Sequence, residues 1–316
     1  MASLVSILIP CYNAARWLPE TIESALAQTW PQTEIILVDD GSRDESLDIA
    51  RRFATRGVKV IAQANRGASA ARNAALTASQ GDWLQFLDAD DLLAPGKITH
   101  QMNLATQLAR ADVVLCGRWS RFTCTPADAD HLPQVLCTDA APTDWLVSKF
   151  EHNAMMHPAA WLTPRATAER AGPWDESLSL DDDGEYFTRV VLASQGVRFC
   201  PDALSYYRSG LPGSLSGAKT ERAWTSAYRS LELSVERLRQ AEDSSRTRHA
   251  GADAFQHFIY EAYPRVAELR RRAAAHVSAL GGSHLVPRGG PQFQLTRRLL
   301  GWRLAKRLQS LRQATP

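Results

Sequence analysis

Three carboxylates within four residues close the run Phe86-Leu87-Asp88-Ala89-Asp90-Asp91, directly behind the apolar stretch 83–87. Carboxylates this close repel one another, and each has its pKa raised unless a positive charge lies between them. A hard divalent cation such as Mn²⁺ or Mg²⁺ provides that charge. It takes one or two carboxylates from a protein and completes its shell with phosphate oxygens and water. The spacing suggests a metal–diphosphate site at the tip of a strand. A solvated turn with a helix cap is the plainer alternative, because Asp is common in both.

Three more polar clusters stand behind apolar runs: Cys11-Tyr12-Asn13, Asp39-Asp40-Gly41-Ser42 and Asn65-Arg66-Gly67. The runs before them, 4–10, 34–38 and 58–62, read as strands, as do 83–87 and 112–116, with proline ending the first. Helical spacing predicts helices over 14–28, 44–54, 69–78 and 97–108. Strands and helices in alternation mean βαβ units and a parallel sheet covered on both faces. Ligands of such sheets bind beyond the carboxyl ends of the strands, and each of the four clusters lies at such an end. No G-x-G-x-x-G follows the first strand, and neither a P-loop nor a G-x-S-x-G elbow occurs. Phosphate must then be neutralised by a metal and by arginine.

The second half reads less clearly. Residues 117–144 are rich in Pro, Asp and Thr and are expected to form a loop or a weakly structured insertion. Order returns at His157-Pro158 and at Trp174-Asp175-Glu176. Asp181-Asp182-Asp183-Gly184-Glu185 then leads into a helix expected over 186–194, followed by short strands at 197–200 and 206–208. From residue 219 the pattern is helical, broken at Gly281-Gly282 and resumed as a basic helix over 293–311.

The chain has 316 residues, 45% apolar and 22% charged, as in an ordinary soluble globular protein. It has no apolar run of the ~18 residues that crossing a membrane requires. A strand beginning at residue 4 leaves no room for a secretory signal. The five cysteines are odd in number and lack C-x-x-C spacing, so neither a disulfide framework nor a zinc site is expected, and a cytoplasmic setting fits. Residues 262–316 hold eleven Lys/Arg and one Glu, a local charge of +10 against +2 for the whole chain, so the remainder carries −8.

Five motifs occur in order: Val5-Ser6-Ile7-Leu8-Ile9-Pro10-Cys11-Tyr12-Asn13, Val38-Asp39-Asp40-Gly41-Ser42, Ala70-Ala71-Arg72-Asn73, Leu87-Asp88-Ala89-Asp90-Asp91 and Trp174-Asp175-Glu176. Over residues 3–210 this resembles the family 2 glycosyltransferases. The resemblance implies a GT-A fold, a Rossmann-like and mostly parallel sheet with helices on both faces. It implies a catalytic domain over 1–215, with a donor half 1–116 and an acceptor half 117–215. The resemblance does not extend to the helical, basic extension 216–316.

The resemblance also implies roles. Pro10, Tyr12 and Asn13 would lie in the turn at the nucleotide base, and Asp40 would accept a hydrogen bond from it. Arg72 would approach the base or the phosphates, and Asp88 the ribose. Asp90, with Asp88 beside it, would hold Mn²⁺ or Mg²⁺. Asp183 matches the family's catalytic base, with Asp182 as its acidic neighbour. Gly184 departs from the usual aromatic residue and leaves the choice of base among Asp182, Asp183 and Glu185 open. Asp175 and Glu176, Arg66 and Gly67 read as structural, Trp174 as core or a loop lid, and Cys11 as a small buried residue. His157 reads as a turn residue or a neighbour of the donor sugar or the metal. Arg208 reads as a diphosphate ligand or a surface residue.

Two function classes follow. One is a metal-dependent transferase moving a sugar from a UDP-sugar to a glycan or lipid-linked acceptor, with inversion, in bacterial polysaccharide or glycolipid synthesis. The other is a non-catalytic nucleotide- or glycan-binding protein that organises a membrane-associated assembly. A nucleotidyltransferase fits less well, for want of a Gly/Arg-rich loop after the first strand. The basic C-terminal helix suits either a membrane interface or packing on the catalytic domain, and nucleic acid is not expected as a partner.

Overall fold

The computed structural model of the chain describes residues 2–108, 112–130, 134–211 and 217–313, so the expected boundary at 215/216 lies outside the described residues. Among the described residues eight strands form one sheet: β1 (Val5–Cys11), β2 (Thr33–Asp39), β3 (Val58–Ala62), β4 (Trp83–Phe86), β5 (Leu92–Leu93), β6 (Val114–Phe122), β7 (Trp161–Pro164) and β8 (Val197–Arg208). Their order is β3-β2-β1-β4-β7-β6-β8-β5. The first four are parallel. Beyond β4 the sheet is mixed, antiparallel through β7 and again at β5, and parallel between β6 and β8.

The helices are α1 (Leu18–Leu26), α2 (Ser46–Arg52), α3 (Ala68–Ala78), α4 (Lys97–Leu108), α5 (Pro142–His152), α6 (Arg165–Ala171), α7 (Asp182–Leu192), α8 (Glu221–Ala241), α9 (Ser245–Ala262), α10 (Ala267–Ala279) and α11 (Pro291–Gln313). Alternation along β1 divides them between the faces of the sheet. Ile7 and Ile9 pack with Leu18, Ile22, Ile98 and Met102 of α1 and α4. Leu8 faces the opposite core, which contains Ala71 and Ala75 of α3. That second core runs on without a break through Trp161 and Tyr186 into Tyr228, Phe255 and Val277 of α8, α9 and α10. Apolar burial of this kind contributes roughly 25 cal/mol per Å², so the C-terminal helices share the stabilisation of the sheet.

Pro10 does not end its strand. The Leu8 carbonyl accepts from Leu87 N on the β4 side, and Pro10, two residues on, faces that same side after β4 has stopped pairing. Its missing N–H therefore costs no ladder bond. The expected loop over 117–144 is likewise replaced at both ends. β6 continues to Phe122 and α5 begins at Pro142. The two short strands expected at 197–200 and 206–208 are one strand, β8, whose register against β6 shifts between Gly117 and Arg118. Gly301 (φ 80°) kinks α11 into two segments. Among the described residues no helix is long and apolar enough to cross a membrane.

Candidate active site

The carboxyl ends of β1, β2 and β4 meet above the sheet. The turn after β1 offers Tyr12, 46% exposed, as an aromatic platform, while Pro10 is buried within the strand. Asn13, in the left-handed region (φ 49°), accepts from Arg43 N at 2.8 Å and donates its own N–H to Ser42 Oγ at 3.0 Å. It fastens the first loop to the second. Burial pushes the Cys11 thiol up to about 12, so it supplies no thiolate at neutral pH.

The two aspartates behind β2 differ in a way that adjacent letters in a sequence do not show. Asp40 is fully used inside the protein. Its carboxylate accepts from Gln63 Nε2 (2.7 Å), Arg66 N (2.9 Å) and Gly67 N (2.8 Å). It thereby sets the loop that enters α3. Gly41 is required here, because it has φ +72° and a Cβ would lie 2.9 Å from Asn65 N. Asp39 accepts from Ser42 N through Oδ2 (3.1 Å), while its buried Oδ1 has no partner among the described residues. A buried acceptor without a donor costs free energy, and it is the kind of atom that a ligand N–H satisfies. Sequence reasoning placed this role on Asp40, and no local signal separated the two.

At the tip of β4, Asp90 is pushed up to about 8 by burial and by the charges of Asp91 and Asp88. Among the described residues no three His, Cys, Asp or Glu side chains form a metal cluster. One or two repelling carboxylates at a strand tip fit a divalent cation that takes its other ligands from a diphosphate and water. The third carboxylate is turned inward. Asp91 is buried, with Oδ2 bonded to His157 Nδ1 (3.0 Å) and Oδ1 accepting from Arg208 N (2.8 Å). His157 Nε2 meets Ser205 Oγ at 2.9 Å. The series Asp–His–Ser has hydrolase geometry, but Ser205 is 0% exposed and no ester reaches it. Burial pushes His157 down to about 3, so its ring stays neutral.

Arg208 is neither a surface residue nor free for phosphate. It is buried between the rings of Trp17 and Phe122 (4.3 and 4.4 Å) and donates to the Asp90 carbonyl (2.9 Å) and to Glu20 (2.6 Å). It holds the backbone of the acidic tip from behind.

Arg72 joins the acidic tip to the start of α7. One terminal nitrogen donates to Asp88 Oδ1 and the other to Asp182 Oδ2, both at 2.7 Å, and the guanidinium lies 4.5 Å over Trp174. Its fork is thus spent on carboxylates, not directed at a base or phosphate. Asp182 also accepts from Ser69 Oγ (2.8 Å) and from Asp183 N (3.0 Å). Asp183, in the first turn of α7, is pushed up to about 7 by burial and by Asp181 and Asp182, with Arg72 opposing. Glu185 is buried and bonded through both oxygens to Arg189 at 2.8 Å, with Arg237 of α8 at 3.4 Å. It is a structural ion pair. Gly184 fits because a Cβ there would fall 2.3 Å from Asp181 Oδ1.

Neighbouring elements hold this arrangement in place. Trp174 is core, stacked on Tyr186 at 4.0 Å. Asn73 bonds Trp174 through both its backbone N–H and its carbonyl (2.8 and 2.9 Å). Glu176 ties Arg66 (2.6 Å) to the same loop, and Asp175 caps it by accepting from Ser177 N (2.9 Å). From α8, Ser226 donates to the Leu180 carbonyl and Ser230 to the Asp181 carbonyl (2.9 and 2.7 Å). The C-terminal helices therefore brace the loop that presents Asp183.

Known proteins share this plan. The family model described as Glycosyl transferase family 2 matches residues 6–159. The uncharacterized glycosyltransferase EpsJ of Bacillus subtilis is 32% identical over 223 residues, 68% of this chain and 64% of that protein. An uncharacterized glycosyltransferase of Rickettsia prowazekii is 32% identical over 198 residues, 60% of this chain and 59% of that one. The chain thus spans about six-tenths of these curated relatives. The crystal structure of S. aureus TarS 1-349 in complex with UDP-GlcNAc superposes with a TM-score of 0.64 at 17% identity, covering 88% of this chain and 89% of that one. The likeness establishes the GT-A fold. Strand-end carboxylates, family model and curated relatives agree on a domain of the glycosyl transferase family 2 kind at residues 6–159.

Proposed function

We propose that the protein is a metal-dependent, inverting glycosyltransferase with Asp183 as its general base. The observation that carries this reading is the Arg72 fork, which sets Asp88 of the acidic tip and Asp182, the neighbour of Asp183, on either side of one guanidinium. A donor held at the tip is then beside the carboxylate that must receive the acceptor's proton. In the transfer, the acceptor oxygen attacks the anomeric carbon as the bond to the diphosphate breaks. The hydroxyl proton passes to the Asp183 carboxylate. A group pushed up to about 7 suits this role, because a base works best with a pKa near the operating pH.

Asp90 and Asp88 would hold Mn²⁺ or Mg²⁺, which supplies Lewis-acid stabilisation of the departing diphosphate. Tyr12 flanks the nucleotide base and Asp39 Oδ1 accepts a ring N–H from it, as a uracil offers. TarS, crystallised with UDP-GlcNAc, supports a UDP-sugar as the donor. The acceptor is a glycan or a lipid-linked glycan of bacterial surface synthesis, a setting that the bacterial relatives support.

Asp183→Asn tests the reading, because it keeps the shape and removes the proton acceptor. Sugar transfer should fall about 10²–10⁴-fold while UDP-sugar affinity, measured by calorimetry, stays the same. Near-normal transfer by Asp183→Asn would remove Asp183 from the mechanism.

A further inference from the structure

The last helix carries a surface that the domain at 6–159 does not explain. Its inner face is packed: Phe293 and Ala305 are buried, and Trp302 meets the rings of Tyr260 and Tyr263 at 4.9 and 5.1 Å. Its outer face is apolar and open. Leu295, Leu299 and Leu300 are 62, 72 and 60% exposed, and Leu304 and Leu308 are 41% exposed. Gly301 (φ 80°) kinks α11 between Leu300 and Trp302, and exposed leucines lie on both sides of the kink. A run of exposed leucines this long marks an interaction site.

The charge around it is of one sign. From residue 269 to the end the chain has ten Lys/Arg and no Asp or Glu. Arg298 and Arg303 are exposed beside the leucines and form no ion pair among the described residues. Arg270 lies close enough for the Arg303 charge to lower its pKa, after the larger effect of burial. A second copy of the chain is a poor occupant, because a two-fold interface sets each patch against itself and here would oppose cation to cation. An anionic lipid surface satisfies both halves of the pattern, taking leucines into its acyl boundary and arginines onto its phosphates.

We propose that α11 docks the protein on an anionic membrane surface, with Leu295, Leu299, Leu300, Leu304 and Leu308 entering the interface and Arg298 and Arg303 on the lipid phosphates. The inference is independent of the transferase reading, since lipid binding needs no sugar donor.

The test is co-sedimentation of the full chain with vesicles of phosphatidylcholine alone or mixed with phosphatidylglycerol, at low and high salt. Wild type should bind the anionic vesicles and release as salt rises. Arg298→Glu with Arg303→Glu should lower low-salt binding at least about tenfold, each cation being worth roughly a factor of five near such a leaflet. Leu299→Ser with Leu304→Ser should lower it at least about tenfold at every salt concentration. Melting temperatures should change little, because Arg298, Leu299, Arg303 and Leu304 are all solvent-exposed. If the leucine variant does not fold, the arginine variant decides. The proposal is overturned if wild type ignores anionic vesicles or if the folded variants bind as wild type does. It is also overturned if light scattering finds a dimer that the leucine variant dissolves while vesicle binding is absent.

Discussion

Removal of Arg72 should destabilise the protein in a pH-dependent way. Arg72 is buried, with one nitrogen 2.7 Å from Asp88 Oδ1 and another 2.7 Å from Asp182 Oδ2. Arg72→Met keeps the stem over Trp174 and removes the charge. Breaking a buried pair by deleting one partner costs about 3–5 kcal/mol. At about 2–4 °C per kcal/mol in a large domain, the melting temperature should fall by roughly 6–20 °C near pH 8. Burial raises the carboxyls of Asp182 and Asp183, and Arg72 opposes the rise in both. Without it they climb further, and Asp183, already at about 7, takes up its proton through the neutral range. Protonation removes the unpaired charge, so the deficit should narrow to a few degrees near pH 5. Arg72→Lys, a point charge that cannot span both carboxylates, should fall between the two. Scanning fluorimetry of the three proteins across that pH range is sufficient. A deficit of equal size at both pH values would refute the account, since it would mean that Arg72 acts through packing alone.

Three further outcomes follow from the same geometry. Asp90 is pushed up to about 8, so the apo protein should lose stability as the pH rises from about 4 towards 8. The gain in melting temperature from Mn²⁺ should then be larger at the alkaline end, and a gain independent of pH would disprove metal binding at Asp90. Asp39→Asn should weaken UDP binding roughly 10–150-fold, the range for one hydrogen bond to a charged group, with little change in melting temperature. Unchanged UDP affinity by calorimetry would return the base contact to another residue. Glu185→Gln leaves Arg189 and Arg237 facing a neutral amide in the core, so it should cost about 3–5 kcal/mol of stability. A Glu185→Gln protein of wild-type stability that had lost transfer would instead make Glu185 the base.

Much of this molecule was determined locally and could be read from the sequence alone. The helix expected over 97–108 is α4 to the residue, and α3 and the first four strands agree within a residue or two. These elements are near-continuous apolar runs or clean helical repeats, whose periodicity does not depend on what lies across the fold. The polar clusters behind β1, β2, β3 and β4 converge for an equally general reason, since parallel strands place their carboxyl ends on one side of the sheet. The likeness to family 2 glycosyltransferases came from motif order for the same reason: each motif is short and self-contained.

What the sequence could not decide depends on partners far along the chain. Arg72 meets Asp182 across 110 residues, Asp91 meets the Arg208 backbone across 117, and Arg208 meets Glu20 across 188. A local pattern shows that Arg208 follows two tyrosines. It does not show that Trp17 and Phe122 enclose it. β8 looked like two short strands because its middle residues are neither apolar nor alternating, and only pairing along β6 makes it one. Asp39 and Asp40 are equivalent as letters. They become different only when the loop before α3 folds over Asp40, satisfies it with three donors and leaves Asp39 Oδ1 open. The burial and neighbouring charge that push Asp183 up to about 7 and bind Glu185 in an ion pair are likewise products of tertiary packing. Desolvation and charge proximity are properties of a three-dimensional neighbourhood, and here α3, α7 and α8 had to assemble before that neighbourhood existed.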